Sequence, residues 1–306
     1  MTNKKRVYAS IVLLIFFFAL LYRGINPHKN KTFSSASANV STGVPKEEYL
    51  SHKVQFYDEK AFIDGIHKAG DSVREKKYLI KGGIVPHHLY PSFIIADFFY
   101  QISLQNPETI ILIGPNHYER GNFKALTGAY AWETVVGKVK PDKNIIETLV
   151  GKNVVRIDEV TLSSEHSLSS MMPFIKYYMP NTKVVPILLS GIFSKRESAI
   201  LAAQLSELLT KDMILVVSVD FSHYLISPQA KEKDAITLQI MKNFDYEKLY
   251  LLNNDYLDSP PSIGILLMVM QKLQTTKMDV VFHTNSGELQ NDDSMETTSY
   301  FSIFYH

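Results

Sequence analysis

The chain has 306 residues, with 32 lysines and arginines against 31 aspartates and glutamates, a formal net charge of +1, and no cysteine. That balance leaves no positive excess to hold nucleic acid. The missing cysteine excludes disulfides, thiolate zinc sites, iron–sulfur clusters and thiol nucleophiles, so any metal must be held by some of the ten histidines and by carboxylates.

Residues 1–6 form a basic N-terminus with Lys4, Lys5 and Arg6, followed at 7–22 by an uncharged stretch, VYASIVLLIFFFALLY. As a helix it would span about 24 Å at about 1.5 Å per residue, somewhat short of a hydrocarbon core, with flanking arginines able to reach the interface. Its length and flanks predict an uncleaved transmembrane signal anchor ahead of a cleaved signal peptide. The small-residue triplet Ala36-Ser37-Ala38, the candidate cleavage site, lies well beyond the apolar run. A buried core helix is the weakest of the three readings, because the run is apolar all round. The chain is thus expected to be a single-pass membrane protein, tethered through residues 7–22, with its C-terminal domain outside the cytoplasm. Residues 23–50, rich in Ser, Asn, Lys and Pro, are expected to be a flexible linker.

From residue 53 to residue 306, strand-like and helix-like stretches alternate. Gly83-Ile84-Val85 is a short apolar strand, and 91–104 carries Phe93, Ile94, Phe98 and Ile102 at helical spacing. A strand is expected at 109–113, helices at 142–150 and 167–178, and a strand at 183–189. An amphipathic helix at 197–209 precedes a strand at 213–219. Helices at 229–241, 246–252 and 260–273, then strands at 280–283 and 299–304, close the chain. The pattern predicts a single α/β layered domain with a central mixed sheet flanked by helices. In such folds ligand sites gather where strands end.

Three of the strands are followed within a few residues by histidine: His87 and His88, His117, and His223. A fourth histidine, His166, stands at a helix start. Strand ends of one sheet converge, so at least two of these histidines are expected to share a site. His28, His52, His67 and His306 lack such a context and are read as solvated or locally hydrogen-bonded, with His283 held in reserve.

Read in order, Gly83-Ile84-Val85-Pro86-His87, Ile113-Gly114-Pro115-Asn116-His117, Glu165-His166-Ser167 and Val219-Asp220-Phe221-Ser222-His223-Tyr224 resemble the Memo family, called AmmeMemoRadiSam system protein B in bacteria and archaea. Gln55-Phe56-Tyr57, Asn285-Ser286-Gly287 and Ser299-Tyr300-Phe301 extend the resemblance to residues 53–306. It implies a fold similar to the class III extradiol dioxygenases, which are non-haem iron enzymes, although ring cleavage is not a property of Memo proteins. Carried over by motif, His87 and His117 correspond to metal ligands and His223 to the dioxygenases' acid–base histidine.

The third ligand is a glutamate in the dioxygenases and usually a cysteine in Memo proteins. Here Asp258 stands at the matching offset before Ile263-Gly264-Ile265, and it could equally cap the helix that follows. Two histidines and a carboxylate suit a divalent metal, iron first, with copper or zinc as alternatives. His223 and His166 are then the candidate catalytic residues. Tyr90, Asn116 and Tyr224 are the candidate pocket residues for a small molecule or peptide, Asn116 doubling as a plausible turn residue. Asp220 is expected to be structural or to orient a histidine. The chain departs from the family at His88-Leu89, where Ala-Gly is usual, and at Met172, where a histidine is usual.

The implied activity is a metal-dependent oxidoreductase of dioxygenase type; the alternative is a non-catalytic metal-, peptide- or protein-binding module on the same fold. No phosphate loop, nucleophile elbow or His-Glu-x-x-His helix occurs. Ser222 and His223 are adjacent on an extended segment and point apart, so they are not a nucleophile and its base.

Overall fold

A computed structural model of the chain describes residues 50–70 and 78–306. They belong to one compact unit, Glu48–His306. The expected anchor at 7–22 and the linker, save its last residue, lie outside the described residues. Among the described residues no helix is long and apolar enough to cross a membrane.

In chain order the strands are β1 (Ser51–Lys53), β2 (Gly82–Val85), β3 (Thr109–Pro115), β4 (Ala125–Thr127), β5 (Ala131–Thr134), β6 (Gly137–Val139), β7 (Arg156–Ile157), β8 (Lys183–Leu189), β9 (Met213–Ser218), β10 (His223–Ile226), β11 (Met278–Asn285) and β12 (Glu296–Tyr305). The main sheet runs β10-β12-β2-β9-β3-β8-β4-β7, with β11 also pairing with β12. Its centre is parallel: β2 with β9, β9 with β3, and β3 with β8, Ile111 lying opposite both Leu215 and Val185. β12 and β4 join antiparallel on either side, so the sheet is mixed, as expected.

The central strands read as unbroken apolar runs because helices cover both faces. Ile111, Ile113, Val185, Ile187, Leu215 and Val217 pack on one face with helices Lys143–Gly151, Lys195–Leu208 and Pro260–Lys272. Their neighbours Ile110, Leu112, Val184, Leu188, Ile214 and Val216 pack on the other with Glu59–Gly70, Ser92–Ser103 and Met172–Tyr178.

Three expectations need correction. β1, β5 and β6 form a separate three-stranded sheet, too short-stranded to show a period in the sequence. The helix expected over 167–178 is two helices, His166–Ser169 and Met172–Tyr178. Ser169 and Ser170 hydroxyls bond back to the carbonyls of Glu165 and His166 (both 2.7 Å), and Pro173 opens the second helix, so the first ends there. His52 is neither solvated nor locally bonded: it is buried, 2.7 Å from Glu159 far along the chain, and packs on Tyr130 and Trp132.

Candidate metal centre

Because β2, β9 and β3 are parallel, their carboxyl ends lie at one edge of the sheet. His87 follows β2, Asp220 follows β9 and His117 follows β3, so strand direction alone brings these three together. Asp258 reaches the same place from the opposite direction. An isolated bridge joins Phe221 to Leu257, the Asp258 backbone N–H donates to the Asp220 carbonyl (3.1 Å), and the Asp220 N–H donates to Asp258 Oδ2 (3.2 Å). The helix Pro260–Lys272 is capped by Ser259, whose hydroxyl accepts from the Ser262 N–H, so Asp258 is not the cap.

Asp258 Oδ2 stands 3.3 Å from His87 Nε2 and 3.6 Å from His117 Nε2. Donors about 2.1 Å from one metal ion lie about 3.0 Å apart at right angles and about 3.4 Å apart at the tetrahedral angle, so these spacings are close to those of a metal's ligands. Asp258 Oδ1 is buried and has no hydrogen-bond partner, an orphaned acceptor that a cation would satisfy. Two overlapping groups among the described residues have ligand atoms close enough for an ion: His87 with His117 and His166, and His87 with Asp220 and Asp258.

The histidine tautomers follow from the hydrogen-bond network. Ser218 Oγ donates to the Ser167 carbonyl (2.6 Å), leaving a lone pair toward His87 Nδ1 (3.4 Å) and His87 Nε2 toward the carboxylates. Burial pushes the His87 imidazole down to about 3, so it is neutral at physiological pH, the form that binds metals. His117 Nδ1 donates to Glu165 Oε1 (2.8 Å), and its Nε2 faces Asp258. Burial alone would lower His117, but the nearby carboxylate of Asp258 and the hydrogen bond to Glu165 outweigh it and hold the imidazolium up to about 10.

Glu165 is the organiser of this arrangement. Its carboxylate is buried and accepts from the His117 N–H (2.8 Å), the His117 ring, and the N–H groups of His166 (2.8 Å) and Ser167 (3.1 Å). Burial opposes its ionisation, yet these bonds hold its pKa far below the usual carboxylate range. The sequence named Glu165 only as part of a motif; its signal was its position one residue before a helix, where a carboxylate caps. His166 stacks on His117, centroids 4.3 Å apart and planes 18° apart, and its ring also packs against Phe56 at 5.4 Å. Gly114 permits the close approach of this helix: a Cβ there would stand 2.8 Å from Ser167 Oγ.

Other expected site residues sit elsewhere. His223 is on β10, its backbone N–H donating to the Asn254 carbonyl and its Nδ1 buried without a partner, and it enters neither group. Asn116 has the turn role: Nδ2 donates to the Arg120 carbonyl (2.7 Å) and Oδ1 accepts the Arg120 N–H (3.2 Å), which fixes the loop carrying His117. Tyr90 and Tyr224 line a cavity beside His88. Asp220 accepts the His87 N–H through Oδ1 (3.1 Å), the orienting contact expected of it, and also presents Oδ2 3.5 Å from His87 Nε2. His283 is bonded to buried Asp234 (2.8 Å), which also accepts from the Ser222 hydroxyl (2.7 Å).

An α/β domain with a histidine–carboxylate cluster at the carboxyl ends of its parallel strands defines the class. The chain belongs to the Memo-like protein family, whose model matches residues 53–304. It is 30% identical over 232 residues to a MEMO1 family protein of Methanosarcina barkeri, covering 73% of this chain and 85% of that protein. A MEMO1 family protein of Caldivirga maquilingensis is 27% identical over 252 residues, covering 78% and 88%. One of Aquifex aeolicus is 28% identical over 242 residues, covering 76% and 88%. Among solved structures, an uncharacterized protein of Escherichia coli K12 is similar over 73% of this chain and 99% of its own, with a TM-score of 0.49 and 11% identity.

Proposed function

We propose that His87, His117 and Asp258 hold one divalent metal ion, iron(II) in the first place, and that the centre serves a metal-dependent oxidoreductase of dioxygenase type. The observation that carries this is the position of Asp258 Oδ2, 3.3 Å and 3.6 Å from two histidine Nε2 atoms. When bound, such a metal supplies Lewis acidity and, as iron(II), redox access to dioxygen. His87 offers a neutral nitrogen from the buried floor, and Glu165 fixes the ring plane of His117. His166, its side chain 30% exposed beside His117, is placed to pass a proton between a ligand and solvent. His223, next to Tyr224 of the cleft that Tyr90 and Tyr224 line, serves the proton transfer there.

The His87–His117–His166 group favours a second metal choice, since three imidazoles suit copper or zinc better than a carboxylate set does. Elemental analysis of anaerobically purified protein tests both. One equivalent of iron in the wild type, lost in His87→Ala, His117→Ala and Asp258→Ala, is the expected result. Loss in His166→Ala with retention in Asp258→Ala would move the site to the three histidines. Metal retention without oxygen consumption on any substrate would leave a binding module.

From the sequence alone we also infer that residues 7–22 anchor the domain on the outer face of a membrane. The full chain should sediment with membranes after a carbonate wash and be cut by protease added outside intact cells. Recovery in the soluble cell fraction would contradict it.

A further inference from the structure

Leu50, the first described residue after the expected linker, is 67% exposed. Two residues on, His52 ties the entering chain to the helix Glu159–Ser163 through Glu159 (2.7 Å), and Phe56 then packs on the His166 ring at 5.4 Å. The chain therefore joins the domain beside the histidine cluster. On the same helix Val160 is 80% exposed, and Ile157 just ahead of it is exposed too. Ser164, the C-cap of that helix, accepts from Arg120 Nη1 (3.1 Å), and Arg120 lies over the Tyr118 ring, 4.8 Å from its centroid. Tyr118 is half exposed, its ring 6.4 Å from that of His166. Its neighbour Glu119 accepts the Gly191 N–H (2.6 Å), which brings up Ile192, 72% exposed. Printed step by step along the chain and its hydrogen bonds, one path carries exposed apolar side chains from Leu50 past His166 to Ile192.

The charges along this path are sorted. Glu119, Asp158 and Glu159 are spent inside the fold: on the Gly191 N–H, on the Thr161 N–H and hydroxyl, and on His52 with the Ala129 N–H. The exposed arginines, Arg120 and Arg156, lie over the rings of Tyr118 and Phe123, at 4.8 Å and 5.1 Å from the centroids. Single apolar side chains on a surface are ordinary. A series of them interleaved with aromatic rings and arginines, where the chain arrives from the uncharged stretch 7–22, matches the composition of a lipid interface. Arginine suits that setting, being weakly hydrated and able to pair with phosphate oxygens.

We propose that this face docks on a lipid bilayer, its apolar side chains entering the headgroup boundary and Arg120 and Arg156 meeting lipid phosphates, so that the cluster opens beside the membrane. The inference rests on the anchor reading above for the presence of the bilayer, and its test separates the two. Because the chain has no cysteine, Val160→Cys, Ile192→Cys and, as a control, Leu104→Cys each give the full-length protein one thiol for a fluorophore. Leu104 is exposed at the amino ends of the parallel strands, where Gln105 binds the Ile80 N–H and carbonyl just before β2. Each protein is reconstituted into vesicles of phosphatidylcholine and phosphatidylglycerol, isolated by flotation, and exposed to a spin-labelled lipid. The labels at 160 and 192 should lose most of their emission and the label at 104 should keep its own. Arg120→Gln and Arg156→Gln should each lower the docked-to-undocked ratio about fivefold in these anionic vesicles. Protein that floats with either face label unquenched would overturn the inference and leave the anchor standing, whereas protein that fails to float would overturn both. Equal quenching at 104, or an unchanged ratio in the two arginine variants, would also overturn it. So would face labels shielded from aqueous iodide yet untouched by the lipid quencher, the mark of a protein partner.

Discussion

His117 donates its Nδ1 proton to Glu165 Oε1 at 2.8 Å, and the same carboxylate takes the His117 backbone N–H through Oε2 at 2.8 Å. Ring and main chain of one residue are thereby gripped by one buried group. The ring nitrogen left over, Nε2, can face only the interior of the cluster.

Glu165→Gln keeps the shape but removes the charge that orients His117. Metal affinity should fall between about tenfold and about a hundredfold, the range found when the partner of a ligating histidine is lost. Competitive titration against a chromophoric chelator measures it. Unchanged affinity would mean that His117 is not a ligand.

In the metal-free protein His117 is raised to about 10, so at pH 7 it carries the proton that a metal must displace. Loading at pH 7 should therefore release about one proton, and affinity should rise about tenfold per unit from about pH 6 to about pH 9. The sign for stability is opposite. A group whose folded value lies above its unfolded value of about 6.5 stabilises fully below that pH, and the gain fades as pH rises through about 10. Metal-free protein should therefore lose this contribution as its melts are taken from pH 7 to pH 10. Unbuffered calorimetry checks the proton count.

Asp258→Cys places a soft thiolate where the carboxylate stands. Metal preference should shift from iron toward zinc and copper(I), read as the metal recovered from a mixture of the ions at equal concentration. An unaltered preference would show that the side chain at 258 does not touch the metal.

Gly114→Ala would drive a methyl group to 2.8 Å from Ser167 Oγ and 2.9 Å from the Leu168 side chain. A cost of about 1–3 kcal/mol is expected from forcing the helix His166–Ser169 away. Because Glu165 caps that helix, metal affinity should weaken too. Thermal melts alongside metal titration separate the two effects.

Much of the fold was legible because the central strands are buried on both faces and so appear as unbroken apolar runs, β8 at its observed bounds. β4, β5, β6 and β7 have two to four residues each, too few for a period, and apart from the local β5–β6 hairpin their pairing is decided by distant partners. At the site, His87 and His117 were legible as histidines ending strands. Asp258 is 38 residues from Asp220 and meets it only in the folded chain, through two hydrogen bonds beside the Phe221–Leu257 bridge, so motif resemblance alone pointed to it. Glu165 escaped assignment because its four hydrogen bonds join local N–H groups to a residue 48 positions away. His223 stands on β10, which pairs antiparallel with β12, rather than in the loop after a parallel strand as His87 and His117 do.

The most direct test is anomalous diffraction from crystals grown anaerobically with iron(II). A single peak about 2.0–2.2 Å from His87 Nε2, His117 Nε2 and an Asp258 carboxylate oxygen is the predicted result. A peak held by His166 with Asp258 unligated, or no peak at the cluster in protein saturated with iron, would contradict the account.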